Sequence, residues 1–242
     1  MFTTAQARSL GVSRLDLARL SDAGLLERLA HGVYRDTGAP SSEHDELRAQ
    51  WLSTEPSRFP EDRMADGAAG VIVSGASAAS LHGVGDLRAD RAEFTVPTRR
   101  QTQRSELRYR VRALSPSSAT VVDGLPVTTL EQTVADLIES RTDLSLVADA
   151  LRDASRVRML DLDGLAMLLA PLAARNGHRR DDGHGFLRRL AAIAGIDDDS
   201  RAAAIAADDN LGELVAVKYL RRATARSDVE VADLVELLGS PG

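Results

Sequence analysis

The chain is 242 residues long, enough for one or two domains and a sizeable core. With 43% hydrophobic but only 3% aromatic residues, that core must rest on Leu, Val, Ile and Ala. A net charge of −6 argues against non-specific coating of nucleic acid, and zero cysteines exclude disulfides and thiolate metal sites. No run approaches the roughly 18 apolar residues of a membrane span, and no signal-peptide core opens the chain, so the expectation is a soluble, cytoplasmic protein without membrane contact.

Residues 3–11 read as a short helix and its stop, and residues 13–24 as a second helix. Thr3 with Gln6, and Ser13 with Asp16, have capping-box spacing, and Val12 with Leu17 has the spacing of a hydrophobic staple. Gly11 and Gly24 stand where helices end. Residues 25–35, with His31-Gly32 at the turn, read as a hairpin. Helix, tight turn, helix and hairpin is the order of a winged helix-turn-helix, a module that presents a helix to a DNA groove.

At 100° per residue, Leu17, Leu20 and Ala23 share one face of the second helix and are expected to pack on the first. The opposite face carries Arg14, Ala18 and Asp22, flanked by Leu15 and Arg19. Ser13 starts this helix, Arg14 and Arg19 are groove candidates, and small Ala18 permits close approach. Arg28, His31 and Arg35 are expected to decorate the hairpin and meet phosphates. The plainer alternative is a helical hairpin for protein contacts with ordinary surface arginines.

Residues 36–41 are turn-rich and read as a link. Ser42 is placed to cap a helix reaching about residue 52, and the polar, Pro-containing stretch 55–70 reads as loop. Strands are expected at 71–73, 93–97 and 107–114, with a small-residue helix at 76–82 between the first two. A tight turn with β flanks covers 120–127. From Thr129 the pattern is helical, with further helices near 143–155, 162–175, 184–194, 209–225 and 228–238.

Charge is segregated along the chain. Residues 1–35 hold five Arg against three acids, and residues 36–98 hold five Arg against eleven acids. Residues 99–112 hold Arg99, Arg100, Arg104, Arg108, Arg110 and Arg112 against Glu106 alone. Such segregation steers an anionic partner to one face. Arg108, Arg110 and Arg112 alternate and so share a sheet face. Either that face is wet and balanced by the acids of 36–98, or it is a second nucleic-acid or partner surface.

The remaining polar residues have plain structural readings. His82 reads as a helix-end residue that hydrogen-bonds a neighbouring segment rather than a base. Residues 176–184, with His178 and His184, read as loop, because metal-ligand spacing is lacking and Arg179 and Arg180 oppose a cation. Asp197–Asp199 and Asp208-Asp209 precede helices, where acids suit the positive helix end. A nucleotidyltransferase needs Gly-Ser after a strand, then two metal-binding acids one residue apart on the next strand. Here Gly75 and Ser77 follow the first strand, but the later position reads Arg91-Ala92-Glu93, and Arg cannot bind Mg²⁺. No metal, cofactor or catalytic set is expected.

Two stretches together resemble the AbiEi family, the antitoxins of AbiE-type (type IV) toxin–antitoxin systems. The first runs from Thr3-Thr4-Ala5-Gln6-Ala7 through Gly24-Leu25-Leu26-Glu27-Arg28 to Gly32-Val33-Tyr34-Arg35. The second comprises Ser74-Gly75-Ala76-Ser77 through His82-Gly83-Val84, then Phe94-Thr95-Val96-Pro97, then Pro126-Val127-Thr128-Thr129-Leu130 through Leu137. The resemblance covers about residues 1–140. It implies an N-terminal winged domain that represses its own operon at repeated operator half-sites, with two copies associating on DNA. It also implies an antitoxin domain acting against a nucleotidyltransferase toxin, with no need for a stable complex.

The expected fold is α+β, mostly α. A winged helix-turn-helix at 1–38, supported by the helix at 42–53, precedes an antitoxin domain at 71–242 with a small sheet and a helical C-terminal half. The expected partners are double-stranded operator DNA and the cognate toxin. Two alternatives stand beside this: a nucleotide-related enzyme or degenerate nucleotidyltransferase-like domain fused to a DNA-binding module, and a module that holds a toxin by direct contact.

Overall fold

The computed structural model describes residues 1–198 and Ser200. Residues 1–190 make one compact unit, which holds both sheets. The fold is α+β, with two small sheets.

The N-terminal elements follow from local chemistry. Strand β1 (Phe2–Thr3) leads into α1 (Thr4–Ser9), and α2 (Arg14–Asp22) follows. Both capping boxes form: Thr3 exchanges bonds with Gln6, and Ser13 with Asp16. Strands β2 (Leu26–Ala30) and β3 (Val33–Asp36) make a hairpin with a bulge between Arg28 and Ala30, and β1 completes a sheet of order β1-β3-β2.

Helix α3 (Asp45–Thr54) lies against this sheet. It starts two residues beyond the expected cap, because Ser42 Oγ accepts from the His44 amide at 3.3 Å instead of from a helical amide. Trp51 on α3 is 2% exposed and donates its indole N–H to the Val71 carbonyl at 2.8 Å.

The stretch 55–70, expected to be loop, contains α4 (Pro60–Met64) and a 3-10 turn at Gly67–Ala69. Its polar look misled because Arg63 points inward. The Arg63 guanidinium lies 3.5 Å over the Trp51 ring, and its Nε stands 3.2 Å from the Glu55 carboxylate. Burial pushes its pKa down to about 10, opposed chiefly by Glu55.

The larger sheet has the order β6-β5-β4-β8-β7, from β4 (Ile72–Val73), β5 (Ala92–Val96), β6 (Leu107–Val111), β7 (Ala119–Val122) and β8 (Leu125–Thr128). Asp123 and Gly124 join β7 to β8 with φ of 48° and 69°, the paired left-handed turn that suits strand twist. One cluster of buried side chains spans both sheets: Val33 of the small sheet, Trp51 of α3, and Val73, Phe94 and Val127 of the large one.

Helix α5 (Gly75–Leu81) follows β4, and α6 (Leu130–Glu139) packs against it. Helices α7 (Leu144–Val157), α8 (Leu162–Leu169) and α9 (Gly183–Ala194) follow. The helix expected at 162–175 breaks into α8 and two 3-10 turns, Ala170–Leu172 and Ala174–Asn176, with Pro171 at the break. The helices expected at 209–225 and 228–238, and the pair Asp208-Asp209, lie outside the described residues, as does Asp199. Asp197 accepts from the Ser200 amide at 2.8 Å, a helix-start bond. No helix among the described residues is long and apolar enough to cross a membrane.

Candidate nucleic-acid interface

The Ser13 cap fixes where α2 begins. Ser13 Oγ accepts from the Asp16 amide at 3.2 Å, and Asp16 accepts from the Ser13 amide at 3.1 Å. The Ser13 hydroxyl and amide hold the Asp16 carboxyl below its usual range. Arg14 therefore sits in the first turn, exposed, with Ala18 and Arg19 exposed beyond it. The Arg19 side chain keeps 70% of its accessibility and only grazes Asp16 at 4.0 Å.

The expected apolar seam is narrower than the helical wheel suggests. Leu17 is buried at 1%, but Leu20 keeps 37% exposure and Ala23 is exposed. A helix of nine residues meets α1 and β2 along one line, and that line passes through Leu17 alone.

On the hairpin, Arg28 and His31 are exposed, and Arg28 Nη2 lies 3.2 Å from His31 Nδ1. Arg35 departs from expectation. It faces Glu27 across the β2–β3 ladder and bonds its carboxylate at 2.6 Å. The Asp45 carboxylate of α3 takes its other terminal nitrogen. The Glu27 hydrogen bond raises the Arg35 pKa above the ordinary arginine value, with Asp45 adding to it. Arg35 ties the hairpin to α3 through two carboxylates, while its buried Nε has no hydrogen-bond partner.

The cluster at 99–112 divides. Arg99 is exposed. Arg100 pairs with Glu55 and donates to the Thr54 carbonyl at 3.3 Å. Arg104 donates to Ser53 Oγ at 2.7 Å and to Glu106 at 2.8 Å. Arg108 pairs with Glu93 at 3.0 Å. Arg110 bonds Asp136 at 3.1 Å and Glu139 at 2.6 Å, while Arg112 bonds Asp136 at 2.6 Å and also meets Glu139.

The expected wet face is thus a half-covered one. Arg108 is balanced by Glu93 of the 36–98 stretch, whereas Arg110 and Arg112 are balanced by Asp136 and Glu139 of α6. Burial works against the Arg112 charge, yet Asp136 and Glu139 raise its pKa above the ordinary value. Asp136 is fully buried and receives a further bond from Gln132 at 2.9 Å.

At the foot of β4, Gly75 has φ +58°, and a Cβ there would stand 1.9 Å from a Glu93 carboxylate oxygen. That oxygen accepts from the Ala76 amide at 3.2 Å, and Glu93's own amide donates to Ser77 Oγ at 3.0 Å. The Glu93 carboxylate thus occupies the start of α5, and its other oxygen pairs with Arg108. His82 bonds the Thr128 carbonyl at 2.7 Å, and burial lowers its pKa. His178 stacks on Phe186 at 4.9 Å, whereas His184 is exposed. Among the described residues, no three His, Asp or Glu side chains are grouped to hold a metal ion.

Residues 1–35 match a family model described as "Transcriptional regulator, AbiEi antitoxin". No curated protein matches the chain. Among solved structures, the chain is similar to the RV2827C protein from Mycobacterium tuberculosis at 17% identity and a TM-score of 0.50, with 84% of this chain and 74% of that chain covered. That likeness concerns the fold alone.

Proposed function

We propose that this chain is a cytoplasmic transcriptional autorepressor and the antitoxin of a toxin–antitoxin pair, with no enzymatic activity of its own. Residues 1–38 act as a winged helix-turn-helix, and residues 71–242 supply antitoxicity against a nucleotidyltransferase toxin without requiring a stable complex. The observation that carries the reading is the capped, outward α2 with Arg14 and Arg19 exposed beside Arg28 and His31. The match over residues 1–35 to an AbiEi regulator family supports it.

On this reading α2 enters a major groove by its N-terminal turn. Arg14 reads a base edge, Ala18 lets the helix approach, and Arg19 meets the groove wall. Arg28 and His31 hold the register on phosphates, and two copies occupy repeated half-sites. A mobility shift on the DNA upstream of the gene, titrated with salt, is the test. Affinity should fall steeply with salt. Arg14→Ala should weaken operator binding more than random-sequence binding; absence of a shift with the wild-type chain at low salt would sink the proposal.

A further inference from the structure

The hairpin, α1 and α2 do not form a flat cationic face. Together with the residues after α3 they enclose a cleft of about 510 Å³. Arg8, Arg14, Arg28, His31 and Arg104 line it, and no Asp or Glu does. These side chains come from α1, α2, the hairpin and the β5–β6 connection, so no single element's surface charge explains the convergence. Arg104 closes one wall of the cleft, with all three guanidinium nitrogens already bonded, to Glu106, Ser53 Oγ and Gln50 Oε1. Among the described residues, Arg8 and Arg14 are exposed and carry no ion pair. Tyr34 also lines the cleft, and Phe2 stacks on its ring with centroids 6.1 Å apart at 24°.

We infer that this cleft binds a free nucleoside triphosphate, and that the nucleotide competes with duplex DNA for Arg14, Arg28 and His31. The inference rests on the DNA-binding reading above only for the competition. Three guanidiniums without a carboxylate partner among the described residues, Arg8, Arg14 and Arg28, concentrate positive charge within one small cleft. Duplex DNA spreads its charge at about one per 1.7 Å of axis, whereas a triphosphate concentrates it. The volume lies within the range of small-ligand pockets. The polyphosphate takes bidentate bonds from Arg8 and Arg28. Tyr34 offers an aromatic surface on which a nucleobase stacks. Arg14 belongs to both the cleft and α2, so its engagement by one anion withdraws it from the other.

Titration calorimetry on the full chain with ATP, inorganic triphosphate and adenosine tests this, alongside the mobility shift with and without ATP. Saturable ATP binding, weaker triphosphate binding and no adenosine binding are expected, with ATP lowering DNA affinity at constant ionic strength. Arg8→Ala should weaken ATP binding at least fivefold and change DNA affinity less than twofold. Arg19→Ala lies outside the cleft and should do the reverse. No saturable ATP binding overturns the inference and leaves DNA binding standing. Equal losses of ATP and DNA binding in Arg8→Ala overturn it too, by making the cleft part of the duplex surface. Circular dichroism on each variant confirms that the fold is retained.

Discussion

Arg14 and Arg19 on α2 and Arg110 and Arg112 around β6 are the same residue type in two cation-rich segments, yet they have opposite fates. The α2 pair stands in solvent with one distant acid between them. The β6 pair is closed under α6 by Asp136 and Glu139. What separates them is the neighbouring helix. Beside α2 the apolar Leu17 makes the buried contact and the charges stay outside. Over β6, α6 presents a fully buried carboxylate that requires cations. Local net charge alone does not identify a binding surface; the facing carboxylates decide.

The strongest way to break this contrast is Asp136→Ala. It leaves two half-buried guanidiniums short of their deepest partner, and a loss of about 3–5 kcal/mol is expected from removing one side of a buried pair. Urea denaturation measures it; a change under about 1 kcal/mol would reduce the cluster to ordinary surface pairs. Arg14→Ala comes next, expected to cost about 1–3 kcal/mol of operator binding with little effect on unfolding. Arg110→Ala should show the converse, and the two variants measured side by side test the comparison directly.

Ser13→Ala removes the α2 cap and should cost about 1 kcal/mol of folding stability, read as a lower urea midpoint. Glu27→Gln is smaller. It leaves Arg35 with Asp45 alone and removes a negative charge beside Arg28, so DNA affinity should rise about threefold at low salt and the gain should vanish as salt screens it. Unchanged affinity at low salt would mean that Arg35 stays locked.

Acid titration gives the finest distinction. The Ser42 amide hydrogen bond holds the Asp45 carboxyl below its ordinary value of 3.8 against the opposing effect of burial, and Arg35 and Arg48 lower it further. A depressed carboxyl stabilises the fold above its unfolded value, and that stability is lost as pH falls through the lower native one. Stability should therefore decline below about pH 4 more steeply in the wild type than in Asp45→Asn. Parallel curves would deny Asp45 that part.

Local interactions were legible in the sequence. The Thr3–Gln6 and Ser13–Asp16 boxes depend on three-residue spacing, and both form. The Asp123-Gly124 turn and the onset of α6 at Thr129 are legible for the same reason. Contacts set by distant segments were not. Arg63 reads as a surface residue until Trp51 and Glu55 are placed beside it. Pro60 at the first helical position, with Glu61 and Asp62 in the first turn, was an available signal for α4. Arg35 alternates with an apolar neighbour on a hairpin, yet its role depends on Asp45 from the next helix. The cleft brings Arg8 of α1 together with Arg104 of the β5–β6 connection, far apart in sequence, which no local pattern anticipates.

Trp51 is the only tryptophan in the chain. Its indole is sealed beneath the Arg63 guanidinium and anchored to the Val71 carbonyl, within the cluster that joins both sheets. The chain thus carries a single indole reporter where the two sheets meet. Its emission wavelength reports the parting of the two sheets without any added label, so ligand titrations and unfolding can be followed optically in one cuvette.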